Sequence, residues 1–69
     1  MEQDWYFERR NVARHMAPIF LITQNFEYLL GQAREALRAG EAVLVHPAAS
    51  ASSGQLDALA AAGPVDIRR

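Results

Sequence analysis

The chain has 69 residues, a formal net charge of −1 and no cysteine. A nearly balanced charge provides no basic field that would attract nucleic acid or an anionic membrane, so neither is expected as a partner. Without cysteine there are no disulfides and no thiolate metal ligands, and two isolated histidines do not form a metal cage. The sequence therefore predicts no metal site and no cofactor.

The length predicts a single small domain over residues 1–69 whose own core gives only marginal stability. Hydrophobic residues make up 51% of the chain, so self-association is the remaining common way to complete the core, and a homo-oligomer is expected. The apolar runs are much shorter than the roughly 20 residues that span a bilayer, and the acidic and then basic N-terminus is unlike a signal peptide. We expect a soluble, cytoplasmic protein.

Residues 1–17 are predicted to form an N-terminal helix. Acidic residues (Glu2 and Asp4) lie near its start and basic residues (Arg14 and His15) near its end, which is the favourable arrangement for the helix dipole. The proline that follows would end this helix.

Residues 18–47 are predicted to form a strand, a helix and a second strand. The run IFLIT over Ile19–Thr23 is short, apolar and rich in β-branched residues, which is typical of a strand buried on both faces. From Asn25, a good N-cap, apolar residues recur at helical spacing, and Gly40 suits the left-handed position after the helix. Ala42–His46, which reads AVLVH, then resembles the first run and predicts another strand.

The last part of the chain, residues 48–69, is predicted to contain a loop, a short helix and a C-terminal strand or tail. Ser52 and Gln55 have the spacing of a capping box, and Gly63 with the proline after it ends the helix. Val65–Ile67 could add a third strand.

A crossover helix between two strands predicts parallel pairing, so the expected fold is a small α/β unit. Its order is helix, strand, helix, strand, helix, with a two- or three-stranded parallel sheet. The alternative is a mostly α protein in which residues 18–39 form one long helix.

A partner-binding surface is predicted near the N-terminus, where Trp5, Tyr6 and Phe7 are consecutive. Three such residues cannot all face one core from a helix, and exposed tyrosine and arginine dominate protein-binding hot spots. The competing interpretation places Trp5 in the core with the other two at its margin. The predicted partner-binding residues are Tyr6, Phe7, Arg10 and Arg14.

A second, weaker candidate is a ligand site at the carboxyl ends of the predicted parallel strands, where such sheets bind ligands. A Ser- and Gly-containing loop that leads into a helix could hold an anion through backbone N–H groups. The predicted ligand-binding residues are Thr23, Gln24, Asn25, His46, Ser50, Ser52, Ser53 and Gly54.

No stretch of the chain has the spacing of a catalytic or nucleotide-binding motif. We therefore expect no enzyme. The predicted function is that of a non-catalytic interaction protein (an inhibitor, adaptor or accessory subunit) that acts through a surface as a homodimer. The alternative is a small-ligand module that binds phosphate or a nucleotide.

Overall fold

The computed structural model describes residues 3–69, which form a two-layer α+β fold with a four-stranded mixed sheet and two helices. The sheet order is β2-β1-β3-β4, in which β1 is antiparallel to β2 and β3 while β4 joins β3 in parallel. Both helices lie against one face of this sheet. The elements are β1 (Trp5–Arg10), β2 (Ile19–Thr23), α1 (Phe26–Arg38), β3 (Ala42–His46), α2 (Ser53–Ala62) and β4 (Val65–Ile67).

The predicted α/β unit with a parallel sheet is wrong, and so is the mostly α alternative. A central strand, β1, lies where the helix over residues 1–17 was expected; Met1 and Glu2 of that helix lie outside the described residues. Since β2 and β3 are both antiparallel to β1, they run in the same direction, as the crossover helix requires. However, β1 separates them, so they do not pair.

The alternation of side chains explains why residues 5–10 are extended. Trp5 and Phe7 point to the helices and are almost fully buried, whereas Tyr6 and Glu8 lie on the opposite face. A strand sends successive residues to opposite faces, so it can bury two of three consecutive aromatic residues on one side. Aromatic residues also favour strands over helices.

The core lies between the helices and the inner face of the sheet. Leu29, Ala33 and Ala36 recur at helical spacing on the buried side of α1, and the small alanines let the helix approach the strands closely. Leu59 is the buried residue of α2. The buried residues are Trp5, Phe7, Leu29, Leu30, Ala33, Ala36, Val43, Val45, Ala48 and Leu59.

Several predictions that rest on local signals are confirmed. Residues 19–23 and 42–46 are strands, and residues 65–67 form the third predicted strand. Asn25 caps α1, since its Oδ1 accepts a hydrogen bond from the Tyr28 N–H at 3.1 Å. Ser52 and Gln55 form the predicted capping box at the start of α2.

Two glycines adopt positive φ angles at the ends of the helices. Gly40 (φ 76°) ends α1 in a Schellman motif, in which its N–H donates to the Leu37 carbonyl and the Glu41 N–H donates to the Ala36 carbonyl. Gly63 (φ 144°) ends α2 so close to α1 that a Cβ there would lie 2.8 Å from Leu37 Cδ1. Both turns therefore require glycine.

The turn after α1 places Glu41 next to Arg9, the third inward-pointing residue of β1. Arg9 Nε donates to Glu41 Oε1 at 2.6 Å, and Arg9 Nη1 donates to Gln32 Oε1 at 3.3 Å. The two charged side chains are only 11% and 14% exposed. The hydrogen bond to Glu41 raises the pKa of Arg9, whose charge is thus kept and paired at the edge of the core.

Phe7→Ala should lower the free energy of unfolding by about 3–5 kcal/mol, because it removes a 1% exposed ring and leaves a cavity in the core. The matched control is Val12→Ala, at a position that is 61% exposed, with an expected change within about 0.5 kcal/mol. Urea unfolding followed by circular dichroism measures both. Equal effects of the two substitutions would contradict the placement of Phe7 in the core.

Glu41→Ala should lower the free energy of unfolding by about 1.5–3 kcal/mol, because it leaves the nearly buried guanidinium of Arg9 without its main acceptor. The control is Glu35→Ala: Glu35 also contacts Arg9, but at 3.7 Å and with a side chain that is 65% exposed. Its expected effect is within about 0.5 kcal/mol. If Glu35→Ala proved the more damaging of the two, the role assigned to Glu41 would be wrong.

Candidate functional site

The sheet face opposite the helices, which we call the open face, is covered by no helix or strand of residues 3–69. The strand register places alternate residues of the strands on this face. They are Phe20 and Ile22 of β2, Tyr6, Glu8 and Arg10 of β1, Ala42, Leu44 and His46 of β3, and Asp66 of β4.

One half of the open face is a row of rings across three neighbouring strands. The ring of Tyr6 lies at the centre, with its centroid 6.0 Å from that of Phe20 and 5.3 Å from that of His46. Both pairs are tilted, which is a favourable arrangement for aromatic rings. Ile22 lies directly opposite Tyr6 on β2 and extends the apolar area.

The other half of the open face carries charges that are paired with each other. Arg10 contacts Glu8 at 2.9 Å, and Arg68 contacts Asp66 at 3.0 Å. These four residues and Leu44 line a shallow groove of about 420 Å³. Because each charge has an opposite neighbour, this half is polar without being strongly acidic or basic.

Tyr6 connects the two halves, since its hydroxyl donates a hydrogen bond to Glu8 Oε1 at 3.1 Å. Partial burial raises the pKa of Tyr6 above its ordinary value of 10.0, and the hydrogen bond and negative charge of Glu8 raise it further. Arg10 acts in the opposite direction. The phenol is therefore held as a neutral donor in a fixed orientation.

A second feature overlaps the open face and extends from β2 into the loop that joins β1 to β2. Of six large hydrophobic residues that are strongly exposed among residues 3–69, five lie between positions 12 and 22, and the sixth is Tyr28 on α1. We call these five residues the hairpin patch. They are Val12, Met16, Ile19, Phe20 and Ile22, and they are 55–67% exposed.

The predicted partner-binding residues do not share one surface, because β1 points alternate side chains to opposite faces of the sheet. Tyr6 and Arg10 lie together on the open face, whereas Phe7 points to the core between the helices and the sheet. Arg14 is exposed in the loop of the hairpin, where its N–H donates to Asn11 Oδ1. The helical prediction did not place Phe20 and His46 beside Tyr6, because both reach it only through strand pairing.

Half of the predicted ligand-binding residues line one cleft of 590 Å³ between the starts of α1 and α2. These are Gln24, Asn25, Ser52 and Gly54. The side chains of Asn25 and Ser52 already accept hydrogen bonds from their own helices, and Glu27 adds a negative charge to the cleft. This arrangement gives less support to an anion site than the sequence suggested.

The other predicted ligand-binding residues lie elsewhere. His46 is part of the ring row on the open face, and Thr23 Oγ1 accepts a hydrogen bond from the Asn25 N–H at 2.9 Å. Ser50 is exposed in the loop after β3, and Ser53 is the exposed first residue of α2. The structure therefore does not assemble the eight residues into one site.

Comparisons with protein-family models, curated proteins and solved structures found no match. Within residues 3–69, no three His, Asp or Glu side chains are grouped so that they could hold a metal ion. Neither helix in this part of the chain is long and apolar enough to cross a membrane.

Glu8→Gln should lower the pKa of Tyr6 toward 10.0, because it removes the negative charge that disfavours the phenolate and that accepts the hydrogen bond of the phenol. Absorbance of the phenolate measures this pKa in a Tyr28→Phe background, where Tyr6 is the remaining tyrosine of the two in the chain. Because the folded state raises the pKa of Tyr6, the protonated phenol stabilises the fold. This contribution is fully present below about pH 10 and is lost as the pH rises through the folded-state pKa of Tyr6.

The control for this titration is Asp66→Asn, which removes another carboxylate of the open face that is paired with Arg68 rather than Tyr6. We expect no change in the pKa of Tyr6 from this substitution. An unchanged pKa in Glu8→Gln would show that the hydrogen bond to Glu8 is not formed in solution.

Proposed function

We propose that the protein is a non-catalytic interaction protein, an inhibitor, adaptor or accessory subunit, that works as a homodimer. In this proposal it binds a partner protein through the open face of its sheet. The observation that carries the proposal is the ring row of Phe20, Tyr6 and His46 on a sheet face that the rest of residues 3–69 leaves uncovered.

The composition of the open face supports a protein partner. Tyrosine and arginine are enriched at hot spots, and here Tyr6 lies at the centre of the face with Arg10 two residues further along the strand. Apolar rings occupy one half and paired charges the other, so a partner with an apolar ridge and a polar rim would be complementary.

The rigidity of the face supports the same proposal. Tyr6 is held by rings on both sides and by Glu8, so little side-chain freedom would be lost when a partner binds. By contrast, the groove on the open face and the cleft between the starts of α1 and α2 are open to solvent, which suits a surface better than an enclosed small-molecule site.

Tyr6→Ala should abolish capture of the partner while it leaves the fold intact. A central hot-spot tyrosine contributes about 2 kcal/mol or more to binding, which corresponds to a loss of affinity of about 30-fold. The free energy of unfolding should change by about 2 kcal/mol or less, because Tyr6 forms two cross-strand pairs that contribute up to about 1 kcal/mol each. Quantitative mass spectrometry of proteins retained from the source cells measures the capture.

The matched control is Tyr28→Ala, which removes an exposed tyrosine from α1, outside the open face. A partner retained by the wild type and by Tyr28→Ala, but not by Tyr6→Ala, is the expected result. If Tyr6→Ala retained the same proteins as the wild type, the open face would not be the binding surface.

A further inference from the structure

The position of β2 in the sheet conflicts with its sequence. Its residues are apolar on both faces, a pattern typical of strands that are covered on both sides. Yet β2 is an edge strand, and three of its five residues (Ile19, Phe20 and Ile22) are more than half exposed. In the single chain, therefore, a strand of the buried type lies at the surface.

The two edges of the sheet differ in how well they are protected. Native proteins usually protect an edge with charges, proline, a bulge or a very short strand. The β4 edge is three residues long and carries Asp66, with Arg68 directly after it. The β2 edge has five residues, none of them charged, and its nearest proline precedes the strand.

We propose that a second copy of this chain covers β2, by antiparallel pairing of β2 with β2 of the partner subunit around a two-fold axis at Leu21. This inference rests on the homodimer in the proposed function and names the surface that forms it. The result is a continuous eight-stranded sheet in which the exposed β2 edges disappear.

The sequence of β2 is complementary to itself in this arrangement. An axis at Leu21 is the one that pairs all five residues of the strand, and it places Phe20 opposite Ile22 of the partner subunit. Aromatic and β-branched residues form favourable cross-strand pairs, and an uncharged strand meets its own copy without like-charge repulsion. Pairing of β2 with β4 of the partner subunit would instead bring it against a short, charged strand and would build an open filament.

The proposed pairing joins the free edge of β2 to its copy and brings the exposed side chains of this strand beside those of the partner subunit. Phe20 and Ile22 stay on the open face, where they extend its apolar half across the two-fold axis.

The same two-fold axis is perpendicular to the sheet, so both open faces lie on the same side of the dimer. The two Tyr6 rings then belong to one surface of double width. A partner with two equivalent sites would be bound by both copies at once, which increases the overall affinity without any new contact.

Analytical ultracentrifugation over a series of concentrations tests the dimer first. The wild-type mass should double from 7.7 kDa as the concentration rises and should then stay constant. A monomer throughout would overturn both this inference and the homodimer of the proposed function. Species that keep growing beyond a dimer would overturn the closed two-fold pairing.

Charge substitutions then test the strand and its register. Phe20→Lys and Ile22→Glu each place two charges against apolar residues of the partner subunit, so each variant alone should dimerise about tenfold less tightly or worse. In an equimolar mixture, a dimer of one Phe20→Lys chain and one Ile22→Glu chain pairs the two introduced charges with each other. The second pair in that dimer is the native Phe20 and Ile22. The mixture should therefore form dimers that neither variant forms alone.

The remaining outcomes separate this inference from the proposed function. Dimers that persist in both single variants would overturn the β2 interface but leave the homodimer in place. Monomers in the mixture as well as in each variant would overturn the pairing around Leu21. Tyr28→Lys, outside the hairpin patch, should dimerise like the wild type, and circular dichroism of every variant confirms that its strands and helices are intact.

Discussion

The structure depends on the fact that helices cover only one face of its sheet. With one helical layer, each strand must send alternate side chains to the core, and the central strand β1 does so with Trp5 and Phe7. The third inward residue is Arg9, and its burial is tolerated because the turn at Gly40 brings Glu41 to within 2.6 Å. The residues between them, Tyr6 and Glu8, are left on a face that nothing else in residues 3–69 covers.

The parts of the fold that could be predicted from sequence are those with local causes. Asn25 and Ser52 mark the starts of the helices because a cap requires only contacts within three residues along the chain. Gly40 marks the end of α1 because the left-handed conformation is strained for other residues. Runs such as IFLIT and AVLVH favour strands through their own composition, so β2 and β3 could be predicted. The strands that they pair with are set by contacts far apart in the sequence and could not be predicted.

The first strand was mispredicted because its two patterns disagree. Acidic residues followed by basic ones suit a helix dipole, whereas large apolar residues at alternate positions suit a strand. Burial of Trp5 and Phe7 outweighs a charge preference of about 1 kcal/mol or less per exposed residue. Arg9 obscured the alternation in the sequence, since its main partner at this inward position is Glu41, which is 32 residues away. Because of the same error, the predicted partner-binding site combined residues from two faces of the sheet: Tyr6 and Arg10 lie on the open face, while Phe7 faces the core.

The mismatch between the apolar sequence of β2 and its position at the sheet edge has a different origin from the helix prediction that was wrong at β1. At β1 the fold of a single chain accounts for the inward side chains once the alternation is recognised, since Trp5 and Phe7 are buried and Arg9 is paired with Glu41. At β2 the strand was predicted correctly, and its apolar character on both faces is still not explained by the chain that contains it. In the proposed dimer, β2 of the partner subunit would supply the neighbouring strand that this uncharged edge lacks in the single chain.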